Sequence, residues 1–164
     1  AGTYPHLSAE LFKVQAGIDM IHVPYKGAGP ALIDLLGGVY QFKVEGSATA
    51  ASHVRAGKLK AFGVTSKERI AAFPDMPTVA EQGYPEYETN FWMAILGPAN
   101  MPKDVKDKLE TAFVKAIKDK EVAAKLDGLS VRVMGLPGKD VDALIARELK
   151  IWPPIIKKAG INAN

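Results

Sequence analysis

The sequence predicts an α/β protein whose largely parallel sheet is covered by helices, with one domain or at most two small ones. Three observations carry this. Residues 5–65 alternate helix-like and strand-like segments through short connections, the pattern left by strand–helix–strand units. The hydrophobic fraction is 48% and the charged fraction 24% of 164 residues, a globular balance that sets aside disordered and low-complexity classes. No run approaches the roughly 20 consecutive apolar residues of a membrane span.

The elements follow in order. Residues 5–16 read as a helix, with Leu7, Leu11, Phe12 and Val14 on its apolar side and Gly17 as its stop. Met20–Val23 reads as a short strand closed by Pro24. The loop Tyr25-Lys26-Gly27-Ala28-Gly29-Pro30 opens a second helix, with Ala31, Leu32, Leu35 and Leu36 as its apolar side and Gly37-Gly38 at its end. Tyr40–Val44 alternates as a strand does. Gly46-Ser47 begins a small-residue helix over Ala48–Ala56, and Leu59–Val64 is the next strand.

Residues 66–90 read as a connection, punctuated by Pro74, Pro77 and Pro85, with one short helix over Val79–Gln82. Phe91–Leu96 reads as a buried strand. Helices follow over Lys103–Lys118, with Val105, Leu109, Phe113 and Ile117 on one side, and over Lys120–Leu126. Val131–Met134 reads as a strand and residues 138–150 as a last long helix, broken by Pro153-Pro154 before a turn at Ile155–Lys158. The helices after residue 98 therefore carry apolar faces for a sheet this chain barely contains.

Charge and composition exclude several classes. Net charge is +3 from 21 basic and 18 acidic residues, and cysteine is absent. Disulfides, Cys-ligated metals and thiol catalysis are thereby excluded. Basic and acidic residues alternate, as at Lys103, Asp104, Lys106, Asp107, Lys108 and Glu110. That is a solvated helix face rather than the basic stripe of a nucleic-acid binder. No basic-then-apolar leader stands at the start. The opening Ala1, in place of Met, leads to the expectation that something upstream has been removed.

Candidate chemistry is sparse. His6 and Glu10 lie one helical turn apart, but two ligands do not make a metal site, and a helix-surface pair is expected. His22 reads as a structural histidine in an apolar strand, and His53 as exposed. Ser47 lacks the flanking glycines of a nucleophile elbow and reads as a helix N-cap. Gly27-Ala28-Gly29 lacks the rest of a dinucleotide or P-loop motif. It is either a plain turn or an anion-binding loop, since it feeds a helix N-terminus with free N–H groups. Gly2-Thr3-Tyr4-Pro5 and Gly46-Ser47 precede helices in the same way. Three such N-termini at the strand ends of an open sheet suit a small anionic ligand held by amides and hydroxyls. No acid–base or nucleophile–base pair accompanies them, so binding without turnover is expected, with no cofactor and no metal.

His22-Val23-Pro24-Tyr25-Lys26-Gly27, followed by Pro30-Ala31-Leu32 and Gly37-Gly38, resembles the substrate-binding proteins of tripartite tricarboxylate transporters, the Bug/TctC family. Gly2-Thr3 through His6-Leu7, Gly57-Lys58-Leu59-Lys60-Ala61, Val64-Thr65-Ser66 with Arg69, and Pro74-Asp75-Met76-Pro77-Thr78 with Glu81 and Gly83 are similar to further family stretches. So are Trp92, Gly97-Pro98, Met101-Pro102, Trp152 and Lys158-Ala159-Gly160-Ile161. The resemblance runs in order along essentially the whole chain.

It implies a periplasmic binding protein of the type II, two-lobed α/β class that clamps a small carboxylate and hands it to the membrane subunits of a transporter. Residues 1–90 then correspond to the second lobe, nearly complete, with its hinge connection. Residues 91–164 correspond to the C-terminal part of a first lobe lacking its N-terminal sheet. Carried residue by residue, the resemblance assigns ligand binding to Thr3, Tyr4, Pro5, Gly27, Ala28, Glu45, Gly46 and Ser47. Glu45-Gly46-Ser47 departs from the Asp-Asn-like pair usual there, and a Glu favours an amine or hydroxyl on the ligand or repels a second carboxylate. The shortfall at the front leads to the expectation of a fragment, or of a homodimer or companion N-terminal fragment covering the helices. Weak or no ligand binding by this chain alone is expected. A ligand-sensing interaction module and an α/β enzyme are the alternative readings.

Overall fold

The computed structural model describes residues 2–128 and 131–161; the outer limits assigned to the two lobes, Ala1 and Asn164, lie outside the described residues. Among these are helices α1 (Tyr4–Ala16), α2 (Ala28–Leu36), α3 (Ser47–Arg55), α4 (Lys103–Ile117), α5 (Lys120–Gly128) and α6 (Gly138–Lys158). The chain divides into two compact units, one of residues 1–91 with 152–164 and one of residues 92–151.

In the first unit the core forms around α1. Pro5 sits in the helix's first turn, where its missing N–H costs nothing. Gly17 ends it in the left-handed conformation, at φ 64°, and returns its N–H to the Lys13 carbonyl. Leu11 and Ser8 are buried. The Phe12 ring meets Tyr84 and Tyr87 edge-on at 5.3 and 5.8 Å and lies 6.0 Å from Phe42. Tyr87, 1% exposed, donates its hydroxyl to the Ser8 carbonyl at 3.1 Å.

The connection predicted over residues 66–90 is pinned at both ends. Val64 N–H donates to the Pro77 carbonyl at 3.0 Å, Val79 N–H to the Val64 carbonyl at 2.9 Å and Thr89 N–H to the Thr65 carbonyl at 2.9 Å. Thr78 and Glu81 exchange bonds: Thr78 N–H donates to the Glu81 carboxylate at 2.7 Å, and Glu81 N–H to Thr78 Oγ1 at 3.0 Å. This is the reciprocal arrangement of a capping box.

In the second unit, Asp119 Oδ1 caps α5 by accepting from the N–H groups of Glu121 and Val122 at 2.9 and 3.3 Å. Trp92 Nε1 donates to Glu148 at 2.9 Å, and the Gly138 N–H donates to Glu110 at 3.1 Å. Helices α4, α5 and α6 bury no residue among those described. Val105, Leu109 and Phe113 stay 40, 41 and 45% exposed, in keeping with the expected surplus of uncovered helix faces.

Several sequence expectations are corrected. Among the described residues the only β-pairing is a single parallel bridge between Val64 and Thr78. The runs Met20–Val23, Tyr40–Val44, Phe91–Leu96 and Val131–Met134 form no ladder, and Leu59–Val64 pairs only at its last residue. A strand is held by the backbone of a neighbouring strand, and periodicity does not supply that neighbour. Ile21, Met93 and Ile95 accordingly remain 94, 77 and 72% exposed.

The short helix over Val79–Gln82 is instead two successive turns, Gln82 N–H to Val79 O and Gly83 N–H to Ala80 O, too short to close an α-helical ring. Helix α6 does not break at Pro153-Pro154 but continues through them to Lys158. Proline's φ is compatible with a helix, and Leu149 and Lys150, whose carbonyls lose their donors, are exposed to water.

Candidate functional site

Each of the three helix N-termini singled out in the sequence exists, and none carries a side-chain cap on its first turn. Thr3 is the N-cap of α1 in extended conformation, exposed, with its carbonyl accepting from Leu7 N–H at 3.0 Å. Tyr4 and Pro5 are half-buried, and the Tyr4 ring lies 5.6 Å from Phe91. Gly27 is the N-cap of α2 at φ 134°, a conformation an L side chain rarely adopts. A Cβ there would meet nothing within 4 Å, so the demand for glycine is conformational and the space before α2 is open. Gly46, not Ser47, is the N-cap of α3. Ser47 takes the first helical position because Gly46 already holds the extended conformation, φ −65° and ψ 137°, that an N-cap needs.

The structure brings two of the three together through a residue the sequence reading passed over. Lys43 Nζ donates to the Ala28 carbonyl at 3.4 Å and pairs with Glu45 Oε2 at 2.5 Å. Glu45 Oε1 in turn accepts from the Gly46 N–H at 2.9 Å. One ammonium thus ties the start of α2 to the start of α3. A signal for it was present: in an alternating run, Lys43 and Glu45 share one side while Phe42 and Val44 share the other. Ring contacts link α1 to both approach segments, His6 on His22 at 3.6 Å and Phe12 near Phe42.

Two tyrosines brace α2. Tyr25 donates to the Asp34 carboxylate at 2.7 Å, and Tyr40 donates to the Ala31 carbonyl. The bond to Asp34 pushes the Tyr25 phenol up to about 12, and burial raises that of Tyr40.

His6 is buried with Nδ1 accepting from the Gly2 N–H at 3.1 Å and Nε2 at 3.8 Å from Glu10. His22 lies in a run with no strand partner, and its ring stacks on His6 at an interplanar angle of 13°. Burial lowers both pKa values below the ordinary histidine value; for His6 the facing His22 adds to this and Glu10 opposes it. A depressed folded-state pKa contributes stability above the unfolded value of about 6.5, lost as pH falls through the folded value. Urea midpoints measured from pH 8 to pH 5 are expected to fall, and to fall less in His22→Gln; equal slopes for the two proteins would refute the coupling. His53, expected to be exposed, is half-buried, because its carbonyl accepts the Lys58 and Leu59 N–H groups as the chain folds back after α3.

This arrangement offers exposed amides at helix starts, one internal carboxylate and one ammonium. It suits holding a small anion.

Residues 1–161 match the family described as tripartite tricarboxylate transporter family receptor. The chain is similar to protein BugT of Bordetella pertussis, 31% identical over 97% of this chain and 49% of that protein. It is also similar to a Pseudomonas knackmussii protein from the clcB–clcD intergenic region, 32% identical over 99% of this chain and 97% of that one. Among solved structures it resembles Rhodopseudomonas palustris Rpa4515 with adipate, at TM-score 0.85 and 30% identity, covering 98% of this chain and 54% of that one. The chain spans about half the length of BugT and of Rpa4515, and nearly all of the Pseudomonas protein.

Proposed function

The chain belongs to the tripartite tricarboxylate transporter receptor family, whose members are solute-binding receptors rather than enzymes, and we propose that it captures a small carboxylate outside the cytoplasm for such a transporter. The observation that carries this is the open α2 N-terminus at Gly27 and Ala28, linked by Lys43 to the α3 N-terminus at Glu45, Gly46 and Ser47. Backbone N–H groups at a helix start are donors that suit a carboxylate. The adipate held by Rpa4515 supports a carboxylate as the ligand class.

In this reading residues 1–90 form a second α/β lobe of a type II binding protein with its hinge connection, and residues 91–164 the C-terminal part of the first. Thr3, Tyr4 and Pro5 complete the ligand wall from the start of α1. The site works in the periplasm and passes its ligand to the transporter's membrane subunits. One lobe face encloses a ligand incompletely, so this chain alone binds weakly.

Titrating the isotope-labelled chain with adipate tests this. Amide resonances of Gly27, Ala28, Gly46 and Ser47 are expected to shift saturably, with a dissociation constant in the millimolar range, on the order of 4 kcal/mol. Shifts no larger than those from equal chloride would remove the carboxylate reading. A micromolar constant would remove the expectation of weak binding.

A further inference from the structure

We infer that the stacked rings of His6 and His22 are an acid-operated latch: once both carry an added proton, the strap of residues 21–24 lifts from α1 while α1 itself stays folded. The strap runs between two anchors. At one end Lys13 Nζ donates to the Met20 carbonyl at 3.1 Å and lies 3.6 Å from Asp19. At the other, Tyr25 donates to the Asp34 carboxylate at 2.7 Å. Between the anchors Ile21 and Val23 are 94 and 48% exposed, so little apolar burial holds the strap down. His22 meets α1 there, its ring centroid 3.6 Å from that of His6 and the two planes 13° apart.

The stack suits neutral rings. His6 is buried and its Nδ1 accepts from the Gly2 N–H at 3.1 Å, which only an unprotonated ring nitrogen does. Its one proton is therefore on Nε2, and a second proton goes to Nδ1, where it sets donor against donor. The charges acting on the pair are Glu10, 3.8 Å from His6 Nε2 and 12% exposed, and the amino-terminal ammonium. Glu10 favours a protonated ring and the ammonium opposes it. A first imidazolium has Glu10 as its counter-charge; the second adds a like charge face to face with the first. Burial holds both rings below the ordinary value of 6.5 in the closed arrangement. Separating the rings lifts that depression, so the open strap takes up protons more readily than the closed one. The latch is accordingly closed above about 6.5 and opens as the pH falls through the lowered values.

Nuclear magnetic resonance of the whole chain tests this, from about pH 8 down to the pH at which the ring carbons report both histidines protonated. Nuclear Overhauser effects between the His6 and His22 rings are expected at the start and are expected to vanish as the second ring titrates. In the same step the amide order parameters of Ile21 and Val23 are expected to fall from about 0.85 to below about 0.6, with those of Leu11 and Phe12 unchanged. His22→Phe keeps a ring against His6 without a second charge, so its strap is expected to stay down over the whole range. Ring-to-ring effects that persist with both rings protonated would overturn the inference, and so would a strap released equally in His22→Phe. Loss of order at Leu11 and Phe12 in the same step would also overturn it, since the pair would then titrate with unfolding of the whole unit. The unaltered chain decides even if the variant fails to fold. No ligand enters these readouts, so the result stands apart from the carboxylate reading.

Discussion

Tyr87→Ala is expected to lower the unfolding free energy by about 3–5 kcal/mol, the cost of deleting a buried aromatic side chain and leaving its cavity. Tyr87 is 1% exposed and packs edge-on against Phe12 of α1, with its hydroxyl on the Ser8 carbonyl. It therefore joins the end of the connecting segment to the helix that begins the unit. Tyr87→Phe keeps the ring and is expected to cost only about 1 kcal/mol, for the lost hydrogen bond. Urea unfolding followed by circular dichroism separates the two. Equal losses in both variants would show that the hydroxyl, not the packing, dominates.

Burial also pushes the Tyr87 phenol up to about 12. A raised folded-state value means stability that is complete below the unfolded value near 10 and lost as pH rises toward 12.

Thr78→Val is expected to cost about 1–2 kcal/mol, as the loss of a capping hydroxyl does. Thr78 is 1% exposed, and its Oγ1 is the acceptor for the Glu81 amide. Its backbone bridges to Val64, so the capping box also holds the one β-pairing among the described residues. Arg69 Nε donates to both Glu81 carboxylate oxygens, at 3.2 and 3.1 Å. That bond, then the one from the Thr78 amide, holds the Glu81 carboxyl below its ordinary value. The box is therefore expected to be whole above the ordinary carboxylate value and to loosen as pH falls through the lowered one. Hydrogen exchange of the Thr78, Val79 and Glu81 amides checks both statements. Exchange rates unchanged in Thr78→Val would show that the turn stands without its cap.

Much of the helical architecture was legible in the sequence because helix signals are local. Gly17 after an apolar stripe, Pro5 in a first turn, and Gly27 and Gly46 before α2 and α3 act within a few residues of themselves. The candidate loops followed from the same signals. The strands were not secured in this way. Tyr40–Val44 and Phe91–Leu96 have the composition of strands, yet their hydrogen bonds belong to a partner that no local pattern provides. Lys43 escaped notice because a lysine in an alternating run reads as a solvated position. Its meaning comes from Ala28, fifteen residues earlier, and from Glu45 beside it.

What the sequence determined by itself is the position of the helices, the glycine-led loops that open them, and the family signature spread along the chain. Their causes lie within a turn or two of backbone. Tertiary structure alone decided that Tyr87 closes on Ser8, that Thr78 bridges to Val64, and that one ammonium joins the starts of α2 and α3. Each of these joins segments that lie apart in the chain. Such contacts form only when the ordering of both segments is offset by what they bury and bond together.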